Sequence, residues 1–255
     1  MKITIFSEEQ QGRGQFDGGK ITELKPIAFP HEETAVKRVG PLFYWAWGFS
    51  ETGGLVPQHP HRAFEIMSYM INGNVAHKDT LGTRSVVGPG GAQVMQTGTG
   101  IEHEEESFGK DVEGFQIWFE PNLKESIRMK PTYHQFEHED FPYKLENGNG
   151  VKTVIGDNSP ITLVTEVKMF DITQEPGKKY LYNLPAHHSI AALVIRGDGS
   201  LVDVKNDQET RMAHKDFIVV DADMDSEILF KSNKDGMRIV IIEVPTVVEY
   251  PLYQK

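Results

Sequence analysis

The chain has 255 residues, enough for one large domain or two of ordinary size, and either choice buries a stable core. Its 37 acidic residues outnumber 26 basic ones for a formal charge of −11, which disfavours non-specific attraction to nucleic-acid phosphates or anionic lipid heads, so direct nucleic-acid binding is not expected. There is no cysteine, so disulfides, thiolate metal sites and cysteine nucleophiles are excluded, and any metal ion must be held by nitrogen and oxygen.

The opening run MKITIFSEEQQGRGQFDGG meets charge and glycine before it builds the apolar stretch of a signal peptide. No later segment approaches the length of a membrane span, and a soluble, cytoplasmic protein without membrane contact is the expectation. FYWAWGF, residues 43 to 49, reads as core or barrel-mouth packing, although its rings could also wall a flat aromatic ligand. PQHPHRAFE follows, and then a series of short β-branched and aromatic runs bounded by Gly, Pro, Asn and Asp: FEIMSYMI, GNVAHKD, RSVVGPGG, AQVMQTG and GFQIWFEP. Residues 121 to 152 are polar and flanked by Pro and Gly, which predicts a connector with one short helix. Strand-like runs resume with ITLVTEVKMF, SIAALVIRGDGSLVDV, DFIVVDAD, SEILFKSN and RIVIIEVP.

This pattern predicts an all-β chain of sandwiches or barrels. Asn72-Gly73, Leu81-Gly82 and Asp198-Gly199 read as tight turns, the last suited to a two-residue hairpin. YMINGNVAHKD and LVIRGDGSLVDV share an outline of apolar strand, Gly-containing turn and alternating strand, which implies a duplication. The boundary is placed near residue 140, giving domains over 1–140 and 141–255.

The chemistry concentrates in the first half. In an extended strand, positions i and i+2 face the same way, so His59 and His61 can present two imidazoles to one ion. In GTGIEHEEES the same parity pairs His103 with Glu105 and turns Glu102, Glu104 and Glu106 to the other face. Two such pairs on neighbouring strands would supply three neutral nitrogens and a carboxylate, with positions left open for water or substrate. Taken singly, an H-x-H pair arises readily among ten histidines, and a glutamate run is usually a solvated edge.

The run from Gly53 to Gly73 follows G-x5-H-x-H-x3-E-x7-G and that from Gly98 to His103 follows G-x-G-x2-H, which resemble the two cupin motifs. More narrowly, HPHRAFEIMSYMINGNVAHKDTLGT with QVMQTGTGIEHEE resembles the N-terminal domain of the pirin family, and GRGQF and FQIWFEP extend the likeness over about residues 10 to 140. The resemblance implies a bicupin of two antiparallel β-barrels, with one divalent transition-metal ion held by His59, His61, His103 and Glu105. Iron is the ion usually associated with the family; manganese, nickel, cobalt, copper and zinc also suit such a donor set. In other cupins the glutamate after H-x-H is itself a ligand, which makes Glu65 a competing fourth position, and strand parity gives it the same face as the two histidines. A role orienting a ligand imidazole is the preferred reading of Glu65.

The second half departs from this pattern. Adjacent His187 and His188 point to opposite faces of a strand, and His214 stands alone, so the second domain is expected to be cupin-like and without metal. His134 and His138 in HQFEH lack the order of a metalloprotease and fall in the connector, and GRGQFDGG and TGTG lack the glycine pattern of a phosphate loop.

The resemblance implies two functions of different kind. One is a dioxygenase opening flavonols such as quercetin with loss of carbon monoxide, its partners a small aromatic substrate and O2, with Glu105 as the general base for the substrate hydroxyl. The other is a metal-dependent, redox-sensing module that binds a partner protein without catalysis.

Overall fold

The computed structural model describes residues Met1–Tyr253. The first half runs through β1 (Lys2–Phe6), β2 (Gly12–Phe16), β3 (Ile21–Ile27), β4 (Leu42–Ser50), β5 (Gly53–His61), β6 (Glu65–Asp79), β7 (Arg84–Val87), β8 (Ala92–Gln96) and β9 (Ile101–Phe119). A short helix, α1 (Leu123–Ser126), leads to β10 (Thr132–Phe136), β11 (Tyr143–Glu146), β12 (Asn149–Ile155), β13 (Lys168–Gln174) and β14 (Lys179–Leu184). The chain closes with β15 (His188–Asp203), β16 (Gln208–Met212), β17 (Phe217–Ala222) and β18 (Ser226–Pro245).

These strands form two nine-stranded antiparallel sheets with the same plan. The first runs β10-β8-β6-β9-β4-β3-β2, with β5 on β9 and β7 on β6; the second runs β1-β17-β15-β18-β13-β12-β11, with β14 on β18 and β16 on β15. Strand for strand, β6, β9 and β5 of the first correspond to β15, β18 and β14 of the second. This is the jelly-roll bicupin expected from the resemblance, although each ladder is an open path rather than a hydrogen-bonded ring.

Two compact units follow from the pairings, and neither is a continuous half of the chain. Met1–Gln10 joins Phe141–Thr162 and Glu166–Val248, while Gln11–Asp140 takes in Leu163–Thr165 and the residues from Glu249. The first ten residues go with the later sheet because β1 pairs along its whole length with β17, from Lys2 opposite Asp221 to Phe6 opposite Phe217. The expected connector holds its one short helix, α1, but also carries strands. Beyond α1, β10 adds an edge to the first sheet on β8, and β11 adds one to the second on β12. Polar composition misled there because edge strands keep one side in water.

Two of the expected turns are bends inside long strands. β6 passes straight through Asn72-Gly73 and β15 through Asp198-Gly199, each with a register shift against its long partner. Gly73 and Gly197 have φ of 72° and 67°, a left-handed conformation that admits an extra residue into the ladder. Leu81-Gly82, by contrast, is a turn joining β6 to β7. The long strands β9 and β18 each change partners midway, β9 from β5 to β4 and β18 from β14 to β13.

Candidate metal centre

β5 and β9 bring the first-half histidines together. The register sets His59 opposite His103 and His61 opposite Ile101, after a bulge between Val56 and His59. Alternation along β9 buries Ile101, His103 and Glu105 and leaves Glu102 and Glu106 exposed, as strand parity requires. The ring nitrogens of His59, His61 and His103 form one group within 4.8 Å of one another. His103 is fully buried, and Trp118 stands edge-on to His61 at 4.8 Å between ring centroids.

Two features show that these residues suit a metal ion. Burial, then the neighbouring histidines, hold the pKa of both His61 and His103 down at about 3, so at neutral pH they carry free lone pairs. In addition, His103 Nε2 lies 3.1 Å from His59 Nε2. Two nitrogens bound at about 2.0–2.1 Å to one ion, at angles between tetrahedral and right, lie about 2.9–3.4 Å apart. The Nδ1 of His59 is 2.8 Å from the Pro57 carbonyl, which accepts its hydrogen and leaves Nε2 bare.

Glu105 stands apart from that three-histidine group and falls in a second one with His77 and His103. Its carboxylate is held by three neutral donors. Ser68 Oγ donates to Oε1 at 2.9 Å, Gln93 Nε2 donates to the same oxygen, and Gln116 Nε2 donates to Oε2 at 2.9 Å. Glu65 belongs to neither group. Its Oε1 accepts from Gln96 Nε2 at 2.8 Å and from the backbone N–H of Val164 at 2.7 Å, and its Oε2 accepts from that of Thr165 at 2.9 Å. The expectation that it orients a ligand imidazole is therefore corrected. Parity does not carry from His61 to Glu65, because the chain leaves β5 and turns at Ala63, φ 72°, before β6 begins.

Three residues at the site were not singled out from the sequence. His77 and Asp79 lie on β6, His77 2% exposed, with His77 Nε2 3.0 Å from Asp79 Oδ2. Tyr133 on β10 stacks on His77 at 4.3 Å, and burial above all pushes its hydroxyl up to about 12. The signal was present in GNVAHKD, where His-x-Asp in a strand places both side chains on one face.

The group opens on a cavity of about 490 Å³ into which His59, His61 and Glu105 project. Phe16, Phe29, Tyr44, Phe49, Phe115 and Trp118 supply its aromatic walls. FYWAWGF is divided between core and cavity: Trp45 and Trp47 are fully buried, while Tyr44 and Phe49 line the cavity. One wall is polar. Lys25 Nζ lies 3.4 Å from Glu23 and 2.5 Å from Glu32, and burial outweighs Lys25 to hold the Glu23 carboxyl above its usual range.

In the second half, His187 sits at φ 61° just ahead of β15, and His188 Nδ1 lies 3.0 Å from Glu243 Oε1. The backbone N–H of His214 donates to Asp198. His134 lies on β10, whereas His138 lies in a 3-10 turn. No helix of the described residues is long and apolar enough to cross a membrane.

Comparison with known proteins places the chain among relatives of one kind. The family model Pirin matches residues 43–119, which hold β5, β6 and β9. "Pirin-like protein 2" of Arabidopsis thaliana is 29% identical over 192 residues, covering 73% of this chain and 59% of the relative. "Putative quercetin 2,3-dioxygenase PA3240" of Pseudomonas aeruginosa is 35% identical over 155 residues, 55% of this chain and 53% of that protein. The chain thus spans little more than half the length of these curated relatives. The crystal structure of the bacterial pirin YhhW of Escherichia coli in complex with nickel(II) superposes with a TM-score of 0.76 at 18% identity, over 96% of this chain and 99% of that one.

Proposed function

Since the chain belongs to the pirin family of cupin proteins, we propose that His59, His61 and His103 hold one divalent transition-metal ion and that the protein is a dioxygenase for flavonols such as quercetin. The observation that carries this reading is the opening of the three-histidine group, beside a buried carboxylate, onto an aromatic-walled cavity of about 490 Å³. That volume falls within the usual range for small-molecule sites of about 300–1,000 Å³. The name of the Pseudomonas relative supports the substrate class, and nickel in the Escherichia coli relative supports a metal in this fold. Iron is the first candidate ion here, with nickel, cobalt and manganese next, since a nitrogen-rich site is loaded by availability as much as by geometry.

A divalent ion held by His59, His61 and His103 would supply Lewis acidity, which lowers the pKa of a substrate hydroxyl. The chain's own groups do the rest. Trp118 and the phenylalanines exclude water and hold a flat ring by stacking and edge contacts. Glu105 takes the hydroxyl proton at a carboxylate oxygen, and Ser68, Gln93 and Gln116 hold that carboxylate toward the cavity. Glu105 would be the residue to supply a fourth ligand to an ion held by the three histidines.

The test is direct. The metal-free protein is loaded in turn with Fe(II), Mn(II), Co(II) or Ni(II), mixed anaerobically with quercetin, and then given O2. Metal-dependent loss of quercetin absorbance that requires O2 is expected; no loss with any of the four ions would overturn the reading.

A further inference from the structure

The two metal-capable groups share His103, whose Nδ1 faces His77 and whose Nε2 faces His59. We infer that Asp79 and His77 form a hydrogen-bond relay that sets which nitrogen of His103 is free for the ion, making His77 a positioning residue and not a ligand. The inference rests on the metal site proposed above, and extends it to residues outside the ligand set.

The relay begins at the turn after β6. Asp79 Oδ1 accepts from the backbone N–H groups of Leu81 at 2.9 Å and Thr83 at 3.0 Å, which fixes the carboxylate in place. Its other oxygen, Oδ2, is 3.0 Å from His77 Nε2. A carboxylate can only accept, so the hydrogen of this bond sits on His77 Nε2, and the relay takes His77 as the Nε2–H tautomer with Nδ1 as its acceptor. That nitrogen faces His103 Nδ1 at 3.4 Å. One of the two must donate for this contact to be a hydrogen bond, and with His77 Nδ1 as acceptor the hydrogen is that of His103 Nδ1. Its Nε2 is then bare, and this is the atom 3.1 Å from His59 Nε2. With both Nε2 atoms bare, the contact is a meeting of lone pairs that only a cation or a proton relieves.

The surroundings hold the relay still. His77 and His103 are 2% and 0% exposed, Asp79 9%, and Tyr133 stacks on the His77 ring at 23° between planes. Asp79 and His77 share a face of β6, and the register sets Asp79 opposite His103 and His77 opposite Glu105. The relay engages His77 Nε2 and His103 Nδ1, so the ion falls to the group on the cavity side and not to the His77, His103 and Glu105 group.

Asp79→Asn inverts this logic. The two backbone donors at Oδ1 demand the amide oxygen there, which leaves the NH2 facing His77 Nε2. His77 then holds its hydrogen on Nδ1, and His103 is driven to carry its own on Nε2, the ligand atom. His77→Phe keeps the stacked ring and removes the relay.

The test uses the full chain with 15N-labelled histidine and no metal. Long-range proton–nitrogen correlation at neutral pH is expected to show His103 with hydrogen on Nδ1 in the wild type and on Nε2 in Asp79→Asn. Nickel(II) affinity, read by competition with a chelator, is expected to fall about 10–100-fold in Asp79→Asn and His77→Phe, the usual loss when a partner of a ligand imidazole is removed. A wild-type His103 with hydrogen on Nε2 would overturn the inference, as would wild-type nickel affinity in both variants. The wild-type spectrum needs neither a variant nor a metal, so it stands if a variant fails to fold. A wild type that binds none of Fe(II), Mn(II), Co(II) and Ni(II) while showing the Nδ1–H form would sink the proposed function and leave the relay intact.

Discussion

The two sheets share a plan strand for strand but differ in what fills the same positions. Through the pairings of β5 with β9 and β14 with β18, His59, His61 and His103 correspond in register to Tyr182, Leu184 and Ile228. Through β6 with β9 and β15 with β18, His77 and Glu105 correspond to Leu201 and Phe230. All five second-sheet residues belong to one continuous apolar core. The first sheet instead places Ser68, His77, Gln93, His103 and Glu105 in its buried interior, each with hydrogen-bond partners. One frame thus supports two interiors: the second is filled by apolar side chains that contribute stability, while the first gives up that burial for polar groups arranged around an opening.

The largest effect that could break this comparison is removal of a first-sheet histidine. His59→Ala or His61→Ala is expected to reduce bound metal from about one ion per chain to near none, measured by elemental analysis of protein purified without added metal. Full retention in both would mean that the ion sits elsewhere.

The next effect sets Glu105 against its counterpart. Glu105→Gln is expected to lower turnover of quercetin about 10²–10⁴-fold while changing the urea midpoint little. Phe230→Ala, in the fully buried core of the other sheet, is expected to cost about 3–5 kcal/mol of stability with turnover per folded molecule unchanged. The reverse pattern in either variant would show that the two interiors do not divide function and stability in this way.

Smaller effects come from the shared bends. A Cβ on Gly197 would meet the Gly236 carbonyl oxygen at 2.2 Å, whereas one on Gly73 meets a Val112 methyl first, at 2.9 Å. Gly73→Ala is expected to cost about 1–2 kcal/mol from left-handed strain, and Gly197→Ala more, because backbone cannot yield as a methyl can. Equal costs by urea titration would count against the tighter second bend.

The last effect is a pH slope in the metal-free protein. His61 and His103 have folded pKa values held down at about 3, against a usual value of 6.5. Between these limits the unfolded chain binds protons that the folded chain does not, so stability rises with pH across the window and is lost as pH falls below about 6.5. The urea midpoint is expected to drop between about pH 7 and pH 5, and His61→Gln should flatten that drop. A midpoint that stays level in the wild type would contradict the buried, neutral state of these rings.

Much of the site was legible because β-strand parity is a strict rule. H-x-H and H-x-E each put two donors on one face, and His59, His61 and His103 do converge. Parity failed at Glu65 because it holds only within one strand, and Ala63 ends that strand's influence. It was also underused at His77 and Asp79, where the same spacing that drew attention to HPH passed as an ordinary strand. The all-β fold and its duplication were readable from runs of β-branched residues and from two similar hairpin-like outlines. The pairing of β1 with β17 was not, since a contact across some 215 positions leaves no periodic trace in either segment. The bends at Gly73 and Gly197 looked like turns because glycine in a left-handed conformation serves both a hairpin and a bulge.

Anomalous X-ray diffraction from crystals of the nickel-loaded protein tests the proposed centre most directly. A single strong peak is expected on the cavity side of His103, bounded by the ring nitrogens of His59, His61 and His103. A peak among His77, His103 and Glu105, or none at either group, would contradict it.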